Sequence, residues 1–200
     1  VIVLMFVMLI GITVYAQSDN TDEGYIKGRF YLESFGIDTS GFQYDSPVTR
    51  GFAANVVSKT LFDDIDITPS MTKFADVPSD SPYACAAYLL SNIGIMQGDG
   101  KYFSPEINIT YSQAAKIFVA SLGKDVVAIE KGGYPMGYVT VAETDGIFDG
   151  ITVKSDASLT FGDFAAMYCN FVDCKGFVLG GNNFGTFSKD DTTILQHKMY

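Results

Sequence analysis

The sixteen residues FSPEINITYSQAAKIF, at positions 103–118, pass from a proline-containing loop into an apolar helical pattern at Thr110. Threonine is favoured just before the first helical turn, because its hydroxyl accepts a hydrogen bond from a backbone N–H that has no partner within the helix. Gln113 follows at the spacing of a capping box, in which each of the two side chains accepts from the other residue's backbone N–H. The stretch therefore predicts a helix that starts directly after Thr110.

Two other stretches repeat this pattern: YDSPVTRGFAANVV at 44–57 and SDASLTFGDFAAMYCNFV at 155–172. When the three stretches are aligned on Thr49, Thr110 and Thr160, apolar residues stand 4, 7, 8 and 12 positions after each threonine. These spacings follow one face of an α-helix. The alignment therefore predicts three helices that each have an apolar face and a threonine cap.

A Gly-Ile pair lies upstream of each capping threonine, at Gly36, Gly94 and Gly146, and a helical pattern precedes each pair. The distances from these glycines to the caps are 13, 16 and 14 residues. Glycine commonly ends a helix because it adopts the left-handed backbone conformation without steric cost. Each unit is predicted to run helix, glycine stop, loop, threonine cap, helix, and the third cap is predicted to use Asp163 as a shorter capping-box partner.

The composition narrows the classes of function. The chain has 200 residues and a formal net charge of −10, which disfavours nucleic-acid binding, because phosphate backbones are bound by clustered lysine and arginine. One histidine, His197, leaves little basis for a His-rich metal site or a Ser–His catalytic pair. Since no nucleophile has a recognisable base beside it, we expect no catalytic residue, enzyme activity, metal or cofactor.

The first sixteen residues, VIVLMFVMLIGITVYA, are almost entirely apolar and are followed by a polar stretch. The run is shorter than the about 20 residues that span a bilayer, and it ends in a small-x-small pattern. Residues 1–16 are therefore predicted to be a secretion signal with a truncated start, cleaved after Ala16. A retained membrane anchor or a buried helix is the alternative; after cleavage we expect no membrane contact.

The three cysteines do not form the even-numbered framework of a small disulfide-stapled secreted fold. Cys85 lies in an apolar helical run and is expected to be a core residue. Cys169 and Cys174 stand five apart with no further metal ligand near them. All three are expected to be free thiols, with pairing of Cys169 and Cys174 as the alternative.

The second unit, residues 74–123, resembles an S-layer homology module. The family pattern is Phe-x-Asp-Val, an aromatic-Ala helix start, Gly-Ile, a Gly/Asp loop, Phe-x-Pro, and Thr-Arg-Ala-Glu at the start of the second helix. The matching residues are Phe74, Asp76, Val77, Tyr83, Ala84, Gly94, Ile95, Gly98, Asp99, Gly100, Phe103, Pro105 and Thr110. Residues 25–62 resemble a first module with an eroded start. Residues 130–174 resemble a divergent third module, with GGYPMGY at 132–138 ahead of its first helix.

The resemblance implies a mainly α fold in which three helix-loop-helix repeats form a pseudo-threefold bundle. It also implies non-covalent anchoring of a secreted bacterial protein to the cell wall, through a secondary cell-wall polysaccharide or a peptidoglycan-linked polymer, at an extracellular, wall or S-layer location. Two alternatives stay open. The modules could be a degenerate spacer or protein–protein contact region of a larger surface protein, or the anchoring region of a secreted hydrolase whose catalytic domain is absent here. The oligomeric state is not indicated.

In this family the arginine after the capping threonine contributes to a carbohydrate groove between modules, and its planar fork suits an anionic sugar substituent. The first unit keeps it as Arg50, whereas Tyr111 and Phe161 take its place in the other units, where the rings either stack on a sugar or pack. Arg50 also lies at the start of its helix, where free N–H groups and the helix dipole favour an anion. The resemblance assigns ligand binding to eight residues: Thr49, Arg50, Asp76, Tyr83, Gly98, Asp99, Tyr111 and Phe161.

Residues 175–200 fall outside the repeat. Apolar runs at 177–179 and 184–187, split by GGNN, predict a small hairpin, so a small β-like extension is expected after the bundle. The closing TTILQHKMY alternates apolar residues without a recognisable helix cap, as at the start of a further domain.

Overall fold

The chain forms helices connected by ordered loops, in a computed structural model that describes residues 20–62, 73–154, 156–179 and 187–199. In chain order the elements are α1 (Asn20–Ser34), α2 (Arg50–Leu61), α3 (Ala84–Asn92), α4 (Tyr111–Ser121), α5 (Asp125–Glu130), α6 (Met136–Thr144), α7 (Phe161–Val172), β1 (Lys175–Leu179), β2 (Phe187–Thr193) and α8 (Ile194–Met199). The mainly α prediction is confirmed. The predicted leader at residues 1–16 lies outside the described residues.

The three predicted caps are confirmed. Thr49, Thr110 and Thr160 precede α2, α4 and α7, and their hydroxyls accept from the backbone N–H three residues on at 3.2, 3.3 and 3.2 Å. Gln113 completes the capping box, because its side chain accepts from the N–H of Thr110 at 3.0 Å. Asp163 does not complete the third box. Its carboxylate accepts from two tyrosine hydroxyls instead, so that part of the prediction is wrong.

The glycine stops are also confirmed, since Gly36, Gly94 and Gly146 have φ values of 74°, 84° and 77° at the ends of α1, α3 and α6. One helix boundary and one additional helix differ from the prediction. Helix α1 begins at Asn20, five residues before the expected start of the first unit. Helix α5, which the pattern did not predict, has six residues and no side-chain cap, so neither a long periodicity nor a capping residue marked it.

The loops that precede the three caps meet in a closed ring of backbone hydrogen bonds. The N–H of Val48 donates to the carbonyl of Leu159 at 3.1 Å, the N–H of Leu159 to Ile109 at 2.8 Å, and the N–H of Ile109 to Val48 at 2.9 Å. All three side chains are buried. Because each residue stands directly before its capping threonine, the ring relates the three units by a pseudo-threefold axis.

The helices of different units interlock around this axis. The first helix of each unit packs on the second helix of another unit: α1 on α7, α3 on α2, and α6 on α4. The approach is closest at Gly28 of α1, where a Cβ atom would lie 1.8 Å from the carbonyl oxygen of Ala165. The second helices also meet through their rings, since Phe118 and Phe171 stack with centroids 4.7 Å apart. The three units therefore share one core.

The extension after the bundle contains a hairpin and one helix. Strands β1 and β2 pair antiparallel, and β1 includes the predicted first run. Strand β2 shares only Phe187 with the predicted second run, whose residues 184–186 lie outside the described part, and it continues to Thr193. The expectation of an uncapped end is wrong, because Thr193 and Gln196 form a capping box for α8 with bonds of 2.9 and 3.2 Å. The Thr-x-x-Gln spacing is the same as at Thr110.

Cys169 and Cys174 are free thiols, as expected, and Cys85 forms no disulfide bond but is half-buried rather than a core residue. The side chain of His197 lies outside the described part of the chain. Among the helices that the structure describes, none combines the length and the hydropathy needed to cross a bilayer.

Candidate functional site

Two adjoining cavities lie at the boundary between the first and second units, and together they form the interunit groove. The loop cavity, of about 250 Å³, is bounded by the loop that includes Gly98, Asp99 and Tyr102. The helix cavity, of about 170 Å³, extends along α4 toward the third unit. Arg50 at the start of α2 lines both cavities, together with two glutamines, Gln97 and Gln113.

Arg50 reaches across the unit boundary and is held by the second unit. Its Nε donates to the carbonyl of Phe103 at 2.8 Å and its Nη2 to the carbonyl of Gln97 at 2.6 Å. The guanidinium carbon lies 4.8 Å from the centre of the Phe103 ring, at cation–π distance. Burial lowers the pKa of Arg50 below its ordinary value, yet an arginine stays charged at neutral pH.

The charge of Arg50 has no carboxylate partner among the described residues. A guanidinium has five N–H donors, and the two bonds to carbonyls use two of them. Within the described part of the chain, the other donors have no hydrogen-bond partner. Arg50 therefore presents a fixed positive charge with unused donors to the interunit groove.

The N-terminus of α2 itself is not open to an anion. The N–H of Arg50 donates to the carbonyl of Ile107 at 2.8 Å, and the N–H of Gly51 to the carbonyl of Pro105 at 2.7 Å. The next N–H, of Phe52, donates to the Thr49 hydroxyl. The expectation that free backbone N–H groups assist anion binding here is wrong, because the loop of the second unit has already satisfied them. Any anion at this site must be bound by side chains.

Asp76 shapes the wall of the loop cavity without lining it. Its two carboxylate oxygens accept from the backbone N–H groups of Phe103 and Ser104, at 2.8 and 2.7 Å. Ser104 has a φ of 61°, an uncommon conformation for a residue with a side chain. The two bonds hold this turn, and the turn places the carbonyl of Phe103 where Arg50 binds it.

Gly98 and Asp99 form the rim of the loop cavity. One oxygen of Asp99 accepts from the N–H groups of Tyr102 and Lys101 at 2.7 and 2.8 Å, and these bonds lower the pKa of the exposed carboxyl. A Cβ atom on Gly98 would lie 2.2 Å from the carbonyl oxygen of Tyr102, so only glycine fits this close approach. The Gly/Asp loop of the family pattern thus gives the cavity its outline.

Thr49 and Tyr83 support the start of α2 from outside the cavities. Thr49 caps the helix that carries Arg50. The half-buried ring of Tyr83 covers Gly51, where a Cβ atom would lie 2.7 Å from the ring. Neither side chain lines the loop cavity or the helix cavity.

Tyr111 and Phe161 occupy the position of the arginine in the other units, and both are fully buried. The ring of Phe161 stacks on Phe42 with centroids 4.6 Å apart, in the same way as Arg50 lies on Phe103. The hydroxyl of Tyr111 donates to Asp163, and burial raises the pKa of Tyr111. Their surroundings agree with the packing interpretation, because neither ring has an exposed face for a sugar.

Sequence reasoning missed part of the helix cavity. Lys116 lines this cavity. The sequence indicated this position only weakly, through the three-residue spacing that places residues 113 and 116 on one face of a helix. Tyr134, which is 53% exposed, reaches the same cavity from the segment before α6. Nothing in the sequence places Tyr134 beside the second unit, since this position follows from the closure of the three units around their axis.

Comparisons with known proteins agree with this geometry. The sequence pattern of the S-layer homology domain matches residues 73–115, which contain the loop and the start of α4 on the groove. A cell surface protein of Thermoanaerobacter kivui is 28% identical over 135 residues, which make up 65% of this chain and 17% of that protein. S-layer homology domains in general bind cell-wall polymers and anchor surface proteins to the wall. Residues 73–115 are therefore an S-layer homology domain within this chain.

Proposed function

We propose that this chain anchors a bacterial surface protein to the cell wall by binding an anionic secondary cell-wall polysaccharide in the interunit groove. The observation that carries the proposal is Arg50, a fixed arginine on the wall of two cavities with no carboxylate partner among the described residues. The role is one of binding without catalysis.

The electrostatics of the chain support a local cation as the anchor point. A net charge of −10 repels an anionic polymer at long range, so attraction has to come from charges inside the groove. The side chain of Arg50 is already held by two carbonyls. The entropy cost of fixing this side chain therefore arises on folding and does not weaken ligand binding. A preorganised guanidinium can then form paired hydrogen bonds to an anionic sugar substituent.

The proposal assigns one polymer site to the chain. At the equivalent positions of the other units, the buried rings of Tyr111 and Phe161 replace the arginine. We therefore expect each chain to bind the polymer at one site, rather than at three.

The test is co-sedimentation of the chain with Thermoanaerobacter kivui cell walls, before and after removal of their secondary polymers. We expect wall binding that depends on the polymers. Arg50→Ala should weaken it by about 2 kcal/mol, the magnitude of a lost charged hydrogen-bond donor, which is more than tenfold in affinity. Arg50→Lys should recover only part of this loss, because the ammonium group lacks the planar fork.

Lys154→Ala is the matched control, because it removes an exposed cation that lines neither cavity. Thermal unfolding of each variant separates loss of binding from loss of fold, since Arg50 also contacts two carbonyls. A folded Arg50→Ala variant that binds walls like the unaltered chain would contradict the proposal. Failure of the unaltered chain to bind walls would favour the spacer hypothesis.

A further inference from the structure

Apolar side chains are exposed in unusual number on one short stretch of the chain, away from the residues that hold Arg50. Among the described residues, nine large apolar side chains are exposed, and five of them lie between positions 126 and 136. One of these five, Tyr134, borders the helix cavity. Exposed apolar residues scattered singly are ordinary, whereas a cluster of them marks an interaction surface. The α5–α6 patch is defined as the other four residues of this cluster: Val126, Val127, Ile129 and Met136.

The two helices that carry the α5–α6 patch are packed closely together. A Cβ atom on Gly137 would lie 1.9 Å from the carbonyl oxygen of Ala128, so α5 and α6 cross almost in backbone contact. The hydroxyl of Tyr138 donates to the carboxylate of Asp125 at 2.8 Å and ties α6 to the start of α5. Val126 and Met136, each 67% exposed, therefore belong to a preformed surface.

The surroundings of the patch are electrically neutral, unlike the chain as a whole. Residues 124–138 include two bases, Lys124 and Lys131, and two acids, Asp125 and Glu130, whereas the net charge of the chain is −10. A strongly charged protein or an anionic lipid surface would find no complementary excess of charge here. Two copies of this acidic chain, in contrast, repel each other least when they meet at a neutral face. At about 0.15 M salt the Debye length is about 8 Å, so acidic residues farther away are largely screened.

The order of the charges on α5 suits two copies of this helix that run in opposite directions. Asp125 begins the helix, and Lys131 directly follows its end. In an antiparallel pair related by a twofold axis, Lys131 of each copy comes beside Asp125 of the other copy. Lys131 is exposed and forms no ion pair within the described residues. The bond from Tyr138 uses only one of the two carboxylate oxygens of Asp125. The charges are thus complementary to a second copy of the same surface.

We propose that the chain forms a twofold-symmetric dimer through the α5–α6 patch, with the α5 helices of the two copies antiparallel. The apolar residues of the patch pack against each other at the centre, where Met136 adapts its unbranched side chain to the gaps. Two ion pairs between Lys131 and Asp125 border this contact. The dimer goes beyond wall binding by one chain, and it carries two interunit grooves, so that attachment to one polymer at two points gains in strength.

The first experiment is sedimentation equilibrium of the whole chain over a wide range of concentrations, at about 0.15 M salt. We expect a monomer–dimer equilibrium. Ile129→Glu should weaken dimerisation about hundredfold, because the lost apolar contact and the added charge act twice in a symmetric interface. Ile26→Glu is the matched control, since Ile26 on α1 is 66% exposed and Ile129 is 63% exposed. This control should dimerise like the unaltered chain.

A charge exchange tests the antiparallel arrangement. Lys131→Glu and Asp125→Lys should each weaken dimerisation about tenfold, because each change places like charges opposite one another. An equimolar mixture of the two variants should dimerise like the unaltered chain, since both pairs across the interface are then attractive. Circular dichroism of each variant checks the fold, because Asp125→Lys also removes the bond from Tyr138.

The inference is overturned if the unaltered chain sediments as a monomer at every concentration, or if Ile129→Glu dimerises as tightly as Ile26→Glu. It is equally overturned if the mixture of the two charge variants associates no better than either variant alone. None of the substituted residues lines the loop cavity or the helix cavity, so each of these results leaves the proposed function to its own test.

Discussion

Arg50, Tyr111 and Phe161 stand at the same place in the three units, directly after a capping threonine, and their different surroundings show why only one unit presents a charge. Arg50 lies on Phe103 and remains half-exposed to the groove. Phe161 lies on Phe42, and the two rings exclude water from the equivalent boundary. At these two positions an aromatic ring is thus part of the core, where the first unit presents a charged side chain.

The cap at Thr110 leads to a first prediction. Thr110→Ala should lower the free energy of unfolding by about 1 kcal/mol, because the N–H of Gln113 loses its acceptor at the start of α4. The backbone N–H of residue 110 stays available to the Gln113 side chain, so only one of the two bonds of the box is lost. Urea denaturation followed by circular dichroism measures the change. Thr152→Ala, at an exposed loop position, is the control, and equal midpoints for both variants would contradict the role of the cap.

The caps and glycine stops could be predicted because they depend on residues within one helical turn. Arg50 could be assigned to a groove from its place after the threonine. Its partners could not be predicted, since the carbonyls of Gln97 and Phe103 are backbone groups that no residue type identifies. The same holds for the blocked N-terminus of α2, whose N–H groups bind carbonyls of the following unit.

Among the first helices of the three units, α1 differs most from the other two, α3 and α6. It has 15 residues, whereas α3 and α6 have nine each, and its packing partner is the last helix of the bundle. Helix α1 crosses α7 at Gly28, where the two backbones approach too closely for a larger side chain; at Gly24 an added Cβ atom would lie 3.3 Å from the Cβ atom of Ala166. The contact between α1 and α7 therefore depends on glycine at the crossing point.

Gly28→Ala tests this crossing. Alanine is favoured over glycine inside a helix by about 1 kcal/mol, which acts in the direction of stabilisation. Its Cβ atom would lie 1.8 Å from the carbonyl oxygen of Ala165, and the backbone displacement that relieves this overlap typically costs about 1–3 kcal/mol. We expect a net loss of stability in a thermal unfolding experiment.

Gly41→Ala is the matched control, because no atom lies within 4 Å of a Cβ at that position and the residue is exposed. Its melting temperature should stay close to that of the unaltered chain. A Gly28→Ala variant that melts at or above the control would show that α1 and α7 can separate without loss of stability.

The long second helices were predictable because apolar residues recur over three turns in each of them. Helix α5 was not, since six residues between two turns carry too little periodicity. The cap of α8 at Thr193 was present in the sequence as Thr-x-x-Gln, but the apolar alternation around it was interpreted as an end without a helix cap.

At the scale of the whole molecule, the first helix of each unit packs mainly on the second helix of another unit among the described residues. The apolar face of α3 packs on α2 of the first unit, and α6 of the third unit packs on α4. The ring of hydrogen bonds through Val48, Ile109 and Leu159 also needs all three loops. A family pattern can identify one unit in isolation, but the helix cavity takes Tyr134 from another unit, and so only the assembled bundle shows the complete site.

We therefore expect that residues 73–123 do not fold when they are produced alone, although they contain the S-layer homology match. Helices α3 and α4 would lose their main partners and expose buried alanine, leucine and phenylalanine side chains. Circular dichroism and amide hydrogen exchange of this fragment, compared with the whole chain, measure the difference. A protected, cooperatively melting fragment would contradict the interlocked arrangement.

The contact between α1 and α7 also sets the order of events during synthesis. A chain emerges from its N-terminus, and domains generally fold as their residues become available. Helix α1 cannot pack in its final place before α7 is present, because the surface that covers α1 is formed only when residues 161–172 have been synthesised. Until then α1 lacks its main packing partner, so the bundle closes, and the groove acquires its final shape, only after residue 172 has been synthesised.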